Sequence, residues 1–320
     1  MHLHLGIDVS KNKLDCALRL ENGKFRNKVV ENNVRGFTSL QEWLKKQTTA
    51  EIHVCMEVTN VYWEAVAEYL ANQNLIVSVV NPAQIKSFGA SRLVRTKTDK
   101  VDSQLIAEFC FDRHPAPWQA PTLSEQTLRA LVLRLDALQA MQTQEKNRLD
   151  VSRDAIKTSL EEHLAWLEKE ISNLAKKIRD HIDDDPDLKT KRDLLQSIPG
   201  IGERTTATLL SFYANVERFE NARKAVAFAG LDPRHHQSGT SVNGKQSMSK
   251  IGHTFIRKAL YMPAMVTLYK TAWGKAFYSR LRASGKPNML IIGAMMRKLI
   301  HVAFGVLRSG KIFDKSLHCA

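Results

Sequence analysis

Four carboxylate residues are the parts of this sequence best placed to do chemistry. Asp8, in GID, and Glu57, in CME, each stand where a predicted strand ends. Asp99 and Asp102 lie three residues apart in KTDKVDSQLIAEF, and residues at that spacing share one face if the segment is helical. Carboxylates packed together repel one another unless a divalent cation neutralises them, and hard oxygen donors suit Mg²⁺ or Mn²⁺.

Such a cluster fits phosphodiester chemistry. Two ions about 4 Å apart would activate the attacking oxygen and stabilise the leaving oxygen. Lys97 and Lys100 flank the aspartate pair and are candidates to hold phosphates. Taken singly, Asp8 also suits a turn and Asp99 also suits a helix N-cap, so the prediction depends on the four acids as a set.

A serine-rich loop, HHQSGTSVNGKQSMSK (235–250), is the second candidate site. A serine hydroxyl is a poor nucleophile unless a base or a metal activates it. Beside phosphate-binding cations, Ser238 could attack DNA and hold it as a phosphoserine ester. Loops rich in serine and glycine are mostly solvated turns, so these residues alone leave Ser238 an ordinary loop position.

A Pro-Gly-Ile-Gly turn lies between two predicted helices in LLQSIPGIGERTTATLL (194–210). It is similar to a helix-hairpin-helix, in which glycines such as Gly200 and Gly202 let backbone N–H groups approach a phosphate. An ordinary helix–helix corner is the alternative. Further candidate nucleic-acid contacts in the basic third of the chain are Arg234, Lys245, Lys250, Arg257 and Lys258.

Positive charge is concentrated at one end of the chain. The formal net charge is +14, and residues 221–320 hold 17 Lys and Arg against two acids. The first 220 residues hold 30 Lys and Arg against 31 acids. A polyanion docking on the last third is the natural interpretation, because each cation on a phosphate releases counterions. A solvated basic face without a specific partner is the alternative.

The predicted elements could bring the acids together. Residues 1–115 give three strands, a helix, a strand, a helix, a strand and then helices, an order that fits a ribonuclease-H-like fold. PAPWQAP (115–121) is a Pro-rich break, and beyond it leucines and isoleucines alternate at three and four residues. This heptad pattern is typical of a coiled coil or a long helical hairpin, and helices that pack on their own core are equally compatible with it.

Composition excludes several classes of protein. The 320 residues, 43% hydrophobic and 25% charged, are typical of a soluble globular protein. Four scattered cysteines, without CxxC or a His/Cys pair at zinc spacing, argue against a disulfide scaffold or a zinc ribbon. The start is charged too early for a signal peptide, and the apolar runs fall short of the ~20 residues that span a bilayer. We therefore expect a cytoplasmic protein with no membrane partner.

Several motifs together carry a family resemblance. GIDVSKNKLD, CMEVTN, TKTDKVDSQLIAEFC, the PGIG segment, AFAGLDPRHHQSGTSVNGKQSMSKIGH and IRKALYMPA follow one another along the whole chain. In this order they resemble the insertion-sequence transposases with a DEDD catalytic motif. This is the insertion sequence one-ten family, which includes the pilin-type DNA invertases and the bridge-RNA-guided recombinases.

The resemblance implies a fold and a set of site residues. The implied fold is an α/β RuvC-like domain of ribonuclease H fold (1–117), coiled-coil helices (118–185) and a mostly α-helical transposase domain (186–320). The four acids would be the DEDD residues that bind Mg²⁺, and Ser238 would be the catalytic serine. The family commonly has E-A-T-G where this chain has Glu57-Val58-Thr59-Asn60, and Asn tolerates the positive φ of such a turn.

The implied activity is DNA recombination that excises and inserts a mobile element. The resemblance further implies that acids and serine meet across subunits in a homodimer or homotetramer, acting on donor and target DNA at the bacterial nucleoid. Some members use a noncoding guide RNA, which would leave the protein to bind backbone and shape. Two alternatives remain: a structure-selective junction endonuclease that uses only the acids, and a non-catalytic nucleic-acid-binding protein.

Overall fold

The structure is a computed structural model that describes residues 2–58, 60–93, 96–234, 237–238, 242–243 and 247–318. The chain divides into two compact units, Met1–Ala120 and Pro121–Ala320. Each unit has hydrophobic core residues of its own. The mixed sheet at the start and the mostly helical remainder that the sequence predicts are confirmed.

A five-stranded mixed sheet, in the order β3-β2-β1-β4-β5, is the centre of the first unit. Its strands are β1 Leu3–Val9, β2 Lys13–Arg19, β3 Phe25–Glu31, β4 Ile52–Glu57 and β5 Ile76–Val80. The first three strands form an antiparallel meander, whereas β4 and β5 run parallel to β1. The carboxyl ends of β1, β4 and β5 therefore meet at one edge of the sheet.

Helices complete the first unit, and their bounds are α1 Val34–Gln47, α2 Glu64–Asn72, α3 Pro82–Ser91 and α4 Asp99–Arg113. The side chains of Asn33, Asn81 and Thr98 cap α1, α3 and α4 by accepting backbone N–H bonds of the first turn. Helix α4 packs against β1, β2 and β4, and its apolar residues Ile106 and Phe109 belong to a core cluster with Val80 and Phe88.

Two long helices, α5 Leu123–Asp150 and α6 Asp154–Asp184, begin the second unit and pack against each other as a helical hairpin. Thr122 and Glu125 form a capping box at the start of α5. The heptad residues are buried or half-buried within this one chain, with Leu128, Leu138 and Leu167 fully buried. The hairpin buries much of the apolar stripe that the heptads predict.

The rest of the second unit is mainly helical. The helices are α7 Pro186–Gln196, α8 Glu203–Tyr213, α9 Ala222–Ala229, α10 Thr254–Lys270, α11 Ala272–Ala283 and α12 Asn288–Ser309, with short 3₁₀ turns at Val216–Arg218 and Lys315–His318. Between α9 and α10, β6 Pro233–Arg234 pairs with β9 Ser247–Met248, and β7 Gln237–Ser238 pairs with β8 Val242–Asn243.

Helix α12 is longer than the apolar run 288–296 from which we expected no bilayer-length segment. It continues through Arg297 and Lys298 to Ser309, and by length and composition it could cross a membrane. More than half of its most apolar stretch is buried inside the second unit. Its buried residues, among them Ile291, Leu299 and Val306, belong to the main hydrophobic cluster, as expected of a core helix.

Candidate active site

Strand pairing places the first two acids side by side. β1 and β4 are parallel neighbours in which Ile7 lies opposite Met56, so the next residues, Asp8 and Glu57, stand together at the carboxyl edge of the sheet. Both side chains are partly buried. Both acids stand at strand ends, as the sequence predicts, and the pairing of β1 with β4 is what makes them neighbours.

Helix α4 supplies the other two acids. The Thr98 side chain caps it by accepting the N–H bond of Val101, so Asp99 and Asp102 fall in its first turn, where carboxylates complement the helix dipole. Gly6 lets the helix lie directly on β1. A Cβ at Gly6 would stand 2.1 Å from the carbonyl oxygen of Ser103 and 2.3 Å from the backbone nitrogen of Ala107.

Alternation along the strands then explains which residues face α4. Side chains two residues apart share one face of a sheet, so Asp8 and Gly6 are on the same face of β1. Gly6 meets the middle of α4, and Asp8, further along the strand, lies towards the helix start. The four predicted acids thus come from one sheet edge and one helix end.

The acids influence one another's ionisation. Burial, followed by the charges of Asp102, Asp99 and Glu57, raises the pKa of Asp8 to about 6. Burial and then the Asp102 charge raise the pKa of Glu57. Burial also raises the pKa of Asp102, although the Lys97 ammonium opposes that change. The carboxylates are therefore close enough to repel one another.

Lys13 and Asp15 are members of this cluster that the sequence reasoning missed. Lys13 Nζ lies 2.6 Å from Asp99 Oδ2 and 3.0 Å from Asp15 Oδ2. The hydrogen bond from Lys13 lowers the pKa of Asp99. Asp15 is the direct partner of Asp8 in the β1–β2 ladder. The signal was present in GIDVSKNKLD, because a hairpin closed between Ser10 and Lys13 pairs the two aspartates.

The donor set fits a hard divalent cation such as Mg²⁺. Each candidate ligand is a carboxylate, and the mutual repulsion that raises the pKa of Asp8 is what a bound cation would relieve. In the structure the Lys13 ammonium lies between Asp15 and Asp99 and neutralises part of this charge. Among the described residues no three of these acids have ligand atoms within 4.8 Å of one another, so the carboxylates would draw together around an ion.

The serine loop is built on a two-strand base. The backbone of Ser238 lies in β7, opposite Val242 of β8, and its side chain is outside what the structure describes. Arg257 contacts the segments on either side of this loop: its Nη1 donates to the carbonyl oxygens of Ala229 (2.9 Å), at the end of α9, and of Gly252 (3.0 Å), just before α10. Part of the guanidinium of this predicted nucleic-acid contact is therefore hydrogen-bonded to the protein's own backbone.

The other predicted nucleic-acid contacts have mixed surroundings. Gly200 has φ of 105° and packs against Thr267, whereas the Cα of Gly202, at the N-cap of α8, faces open space. Lys258 donates to both carboxylate oxygens of Asp136 at 2.9 Å. Lys245 lies outside the described residues, and the remaining positions, Lys97, Lys100, Arg234 and Lys250, are exposed.

At Asn60, where the family commonly has glycine, the backbone has the conformation that we expected. Asn60 adopts a positive φ of 50°, the region in which glycine is favoured and asparagine tolerated. Its carbonyl oxygen accepts a hydrogen bond of 3.1 Å from Trp63 Nε1. The turn therefore survives without glycine.

Known proteins resemble the chain along nearly its whole length. A family model described as transposase, of the DEDD type in IS110 elements, matches residues 5–152. A second model, described as transposase IS116/IS110/IS902 family, matches residues 192–279. Pilin gene-inverting proteins of Moraxella lacunata and Moraxella bovis are each 32% identical over 318 residues, covering 98% of both chains. The transposase of element IS1328 from Yersinia enterocolitica is 26% identical over 49% of this chain and 47% of its own. The chain belongs to the IS116/IS110/IS902 family of transposases.

Proposed function

We propose that this protein is a divalent-cation-dependent DNA recombinase whose catalytic acids are Asp8, Glu57, Asp99 and Asp102. The observation that carries the proposal is the shared electrostatic environment of these acids, in which the other three carboxylates help to raise the pKa of Asp8 to about 6. The order of the sheet, with acids at the ends of β1 and β4, also supports a RuvC-like, ribonuclease-H-type fold for this unit.

The four acids would hold the cation, and Asp15 would assist from the neighbouring strand. Mg²⁺, or Mn²⁺ in its place, supplies charge neutralisation at the reacting phosphate when bound. Lys97 is exposed and its charge acts on Glu57, Asp99 and Asp102, so it suits a role at the phosphate beside the acids. Lys100, also exposed in the first turn of α4, suits the same role.

We propose that Ser238 is the nucleophile. Its Oγ attacks the scissile phosphorus, a phosphoserine ester forms, one bridging P–O bond breaks, and the leaving sugar oxygen takes a proton while the serine gives one up. Rejoining reverses the step with a new DNA hydroxyl. Arg257, bonded to the backbone carbonyls of Ala229 and Gly252 on either side of the loop, supports a loop whose two ends are held together.

The proposed substrate is double-stranded DNA, both a donor element and a target. Membership of a transposase family and 32% identity to pilin gene-inverting proteins support excision, insertion or inversion of a segment. The excess of Lys and Arg in residues 221–320 supports contacts with the phosphate backbone. We further propose a noncoding guide RNA, because base pairing would supply the sequence selection for a protein that binds backbone and shape.

The assembly and its location are also proposals. We propose a homodimer or homotetramer in which the acids of one protomer act with the serine of another. Exposed apolar residues on the long hairpin, Leu133, Met141 and Trp166, support a coiled-coil contact between copies. We propose the bacterial cytoplasm, at the nucleoid, as its location, because its proposed substrate is DNA.

The decisive experiment traps the covalent intermediate. Full-length protein is incubated with Mg²⁺ and labelled element-end DNA, together with its guide RNA, and the denatured products are resolved by size. We expect a protein–DNA adduct in wild type that is lost in Ser238→Ala and kept in the matched control Ser241→Ala. Asp8→Asn should also lose the adduct while binding DNA normally. An adduct that persists in Ser238→Ala would remove the serine from the proposal.

The acid-only endonuclease is a second candidate, favoured by the fact that the four acids converge within the first unit alone. It predicts equal cleavage of branched DNA junctions by wild type and Ser238→Ala. The non-catalytic alternative predicts no cleavage by either and no effect of Asp8→Asn on any DNA product. Run on both substrates, element-end DNA and branched junctions, the same denaturing gel distinguishes the three candidates.

A further inference from the structure

A second cluster of metal-binding side chains lies at the end of the sheet opposite the acids. His4 and His53 are direct partners in the parallel β1–β4 pair, near the start of each strand. Cys110 is in the last turn of α4. All three residues are buried, and one ligand atom from each lies within 4.8 Å of the other two.

The alternation of side chains along β1, which turns Asp8 towards α4, also explains this cluster. His4, Gly6 and Asp8 share one face of β1, and α4 runs along that face. The first turn of α4 lies near Asp8, Ser103 and Ala107 lie against Gly6, and Cys110 in the last turn lies beside His4. One helix thus joins the acids at its first turn and the histidine–cysteine cluster at its last.

His4 has a ring suited to binding a metal. Its ring centre lies 6.0 Å from that of His53 and 5.9 Å from that of His114, so three imidazoles meet here. Among the described residues neither ring nitrogen of His4 has a hydrogen-bond partner. An imidazole without a hydrogen-bond partner has a lone pair to offer, and imidazole is the commonest metal ligand in proteins.

The hydrogen bonds around His53 fix its tautomer. The hydroxyl of Ser78 lies 2.9 Å from the carbonyl oxygens of Pro115 and Ala116, which can only accept, so its hydrogen points there. Ser78 Oγ therefore accepts from His53 Nε2 at 2.8 Å. With Nε2 donating to Ser78, Nδ1 is the ring nitrogen that carries the lone pair and can bind a metal. The Nε2–H bond orients the ring, as a second-layer partner does in metal sites.

Cys110 supplies the sulfur atom of the cluster. It is fully buried in the last turn of α4. When protonated, Cys110 has the His53 carbonyl oxygen 3.7 Å away as an acceptor. A thiolate is the form of cysteine that binds metals.

We propose that His4, His53 and Cys110 bind a structural zinc ion that fastens the end of α4 to β1 and β4. Two imidazoles and a thiolate are borderline-soft donors that favour Zn²⁺ over Mg²⁺. A tetrahedral zinc holds its ligand atoms about 3.3–3.8 Å apart, so the three groups need only small side-chain rotations. His114, whose ring centre lies 5.9 Å from that of His4, is a candidate for the fourth position.

This zinc site is independent of the DNA chemistry proposed above. Its ligands share no residue with the acid cluster, and the donors differ in type. Its effect on the acids would be indirect, since α4 carries both Cys110 and the pair Asp99 and Asp102. A zinc ion that holds the helix in register would keep these acids beside Asp8.

The test uses full-length protein purified without a histidine tag and freed of metal. Added Co²⁺, a spectroscopic substitute for zinc, should bind at about one equivalent with a thiolate-to-cobalt charge-transfer band that Zn²⁺ abolishes. Zn²⁺ should also raise the melting temperature, and Mg²⁺ should not reproduce the band. Cys110→Ser should lose the band, whereas Cys16→Ser, which alters another buried cysteine of the same sheet, should keep it.

A second variant guards against misfolding of Cys110→Ser. His4→Phe places an apolar ring at a position without hydrogen bonds and should fold with a cooperative melt, yet lose the Zn²⁺-dependent rise in melting temperature. Wild-type protein without a charge-transfer band would overturn the proposal. So would a band that survives in Cys110→Ser, because the cobalt would then be bound to another thiolate.

Discussion

At the scale of single residues, Asp8 is a carboxyl group whose charged form is destabilised in the folded chain. Its pKa of about 6 in the folded chain exceeds the value of about 3.9 expected in the unfolded chain, so the native state binds its proton more tightly. The stability this proton supplies is complete below about pH 4 and is lost as the pH rises through 6. At neutral pH the ionised Asp8 therefore destabilises the protein unless a cation is bound.

Asp8→Asn should stabilise the metal-free protein at pH 8. Removing a charge that burial and three acids oppose should add about 1 kcal/mol, after allowance for solvent screening, to the free energy of unfolding. Thermal melts in a chelator at pH 8 and pH 4 measure this, and the gain should vanish at pH 4. Equal gains at both values would mean that packing, rather than charge, is responsible.

Lys13 competes with a metal for the same carboxylates. Lys13→Gln removes the ammonium between Asp15 and Asp99, so Mg²⁺ should half-saturate the site at a concentration about two- to fivefold lower, the range expected for exposed ion pairs. The Mg²⁺ dependence of the melting temperature reports this value. Lys11→Gln, two residues earlier in the same turn, is the control and should leave it unchanged. Weaker Mg²⁺ binding in Lys13→Gln would show that the lysine orients the acids instead.

At the scale of elements, the contact between α4 and β1 is the critical one. Gly6→Ala would place a methyl group 2.1 Å from a backbone oxygen of α4, and backbone cannot rotate away as a side chain can. We expect a loss of about 1–3 kcal/mol of stability and a weaker Mg²⁺-dependent rise in melting temperature. Urea unfolding measures the first and thermal melts the second.

Gly305→Ala is the matched control for that substitution. Gly305 lies in α12 with nothing within 4 Å of an added Cβ, so alanine should raise stability by up to about 1 kcal/mol through helix propensity. If Gly6→Ala proved as harmless as Gly305→Ala, the close approach of α4 to β1 would be wrong.

A substitution at Arg257 tests whether the ends of the serine loop must be held in place. Arg257→Lys keeps the charge, but the lysine side chain is one bond shorter, so its ammonium does not reach the position of Nη1 between the carbonyls of Ala229 and Gly252. The anchoring of the loop should weaken while the salt dependence of DNA binding stays the same. We expect about tenfold less covalent adduct. Arg282→Lys, at an exposed position of α11, should leave adduct yield unchanged. A changed salt slope in Arg257→Lys would instead indicate a phosphate contact.

At the scale of the whole molecule, charge divides between the two compact units. Residues 121–320 hold 32 Lys and Arg against 20 acids, while residues 1–120 hold 15 against 13. Since each unit has its own core, both segments should fold when expressed separately.

DNA binding by the separated units then locates the polyanion surface. Residues 121–320 should bind duplex DNA with most of the salt dependence of the full chain, because counterion release follows the number of phosphate contacts. Residues 1–120 should bind little DNA at about 150 mM salt. Fluorescence anisotropy over a salt series measures both. Tight, salt-dependent binding by residues 1–120 would move the main DNA surface to the acid-bearing unit.

Local sequence patterns predicted the elements of the first unit well. Alternating and continuous apolar runs gave the five strands, and the helices after Asn33 and Thr98 begin at residues that cap them. Asp8 and Glu57 were identifiable because they follow strands. Asp15 and Lys13 were missed, since their role depends on the register of a hairpin and on a side chain reaching from β2 to α4.

The sequence alone determined the elements, the family and the concentration of positive charge, because each is carried by short motifs or by composition. The tertiary structure alone decided that His4, His53 and Cys110 meet. No spacing rule relates two parallel strands to the far end of a later helix. Their meeting requires the β1–β4 register and a glycine that lets α4 lie against the sheet, and only the folded chain supplies both.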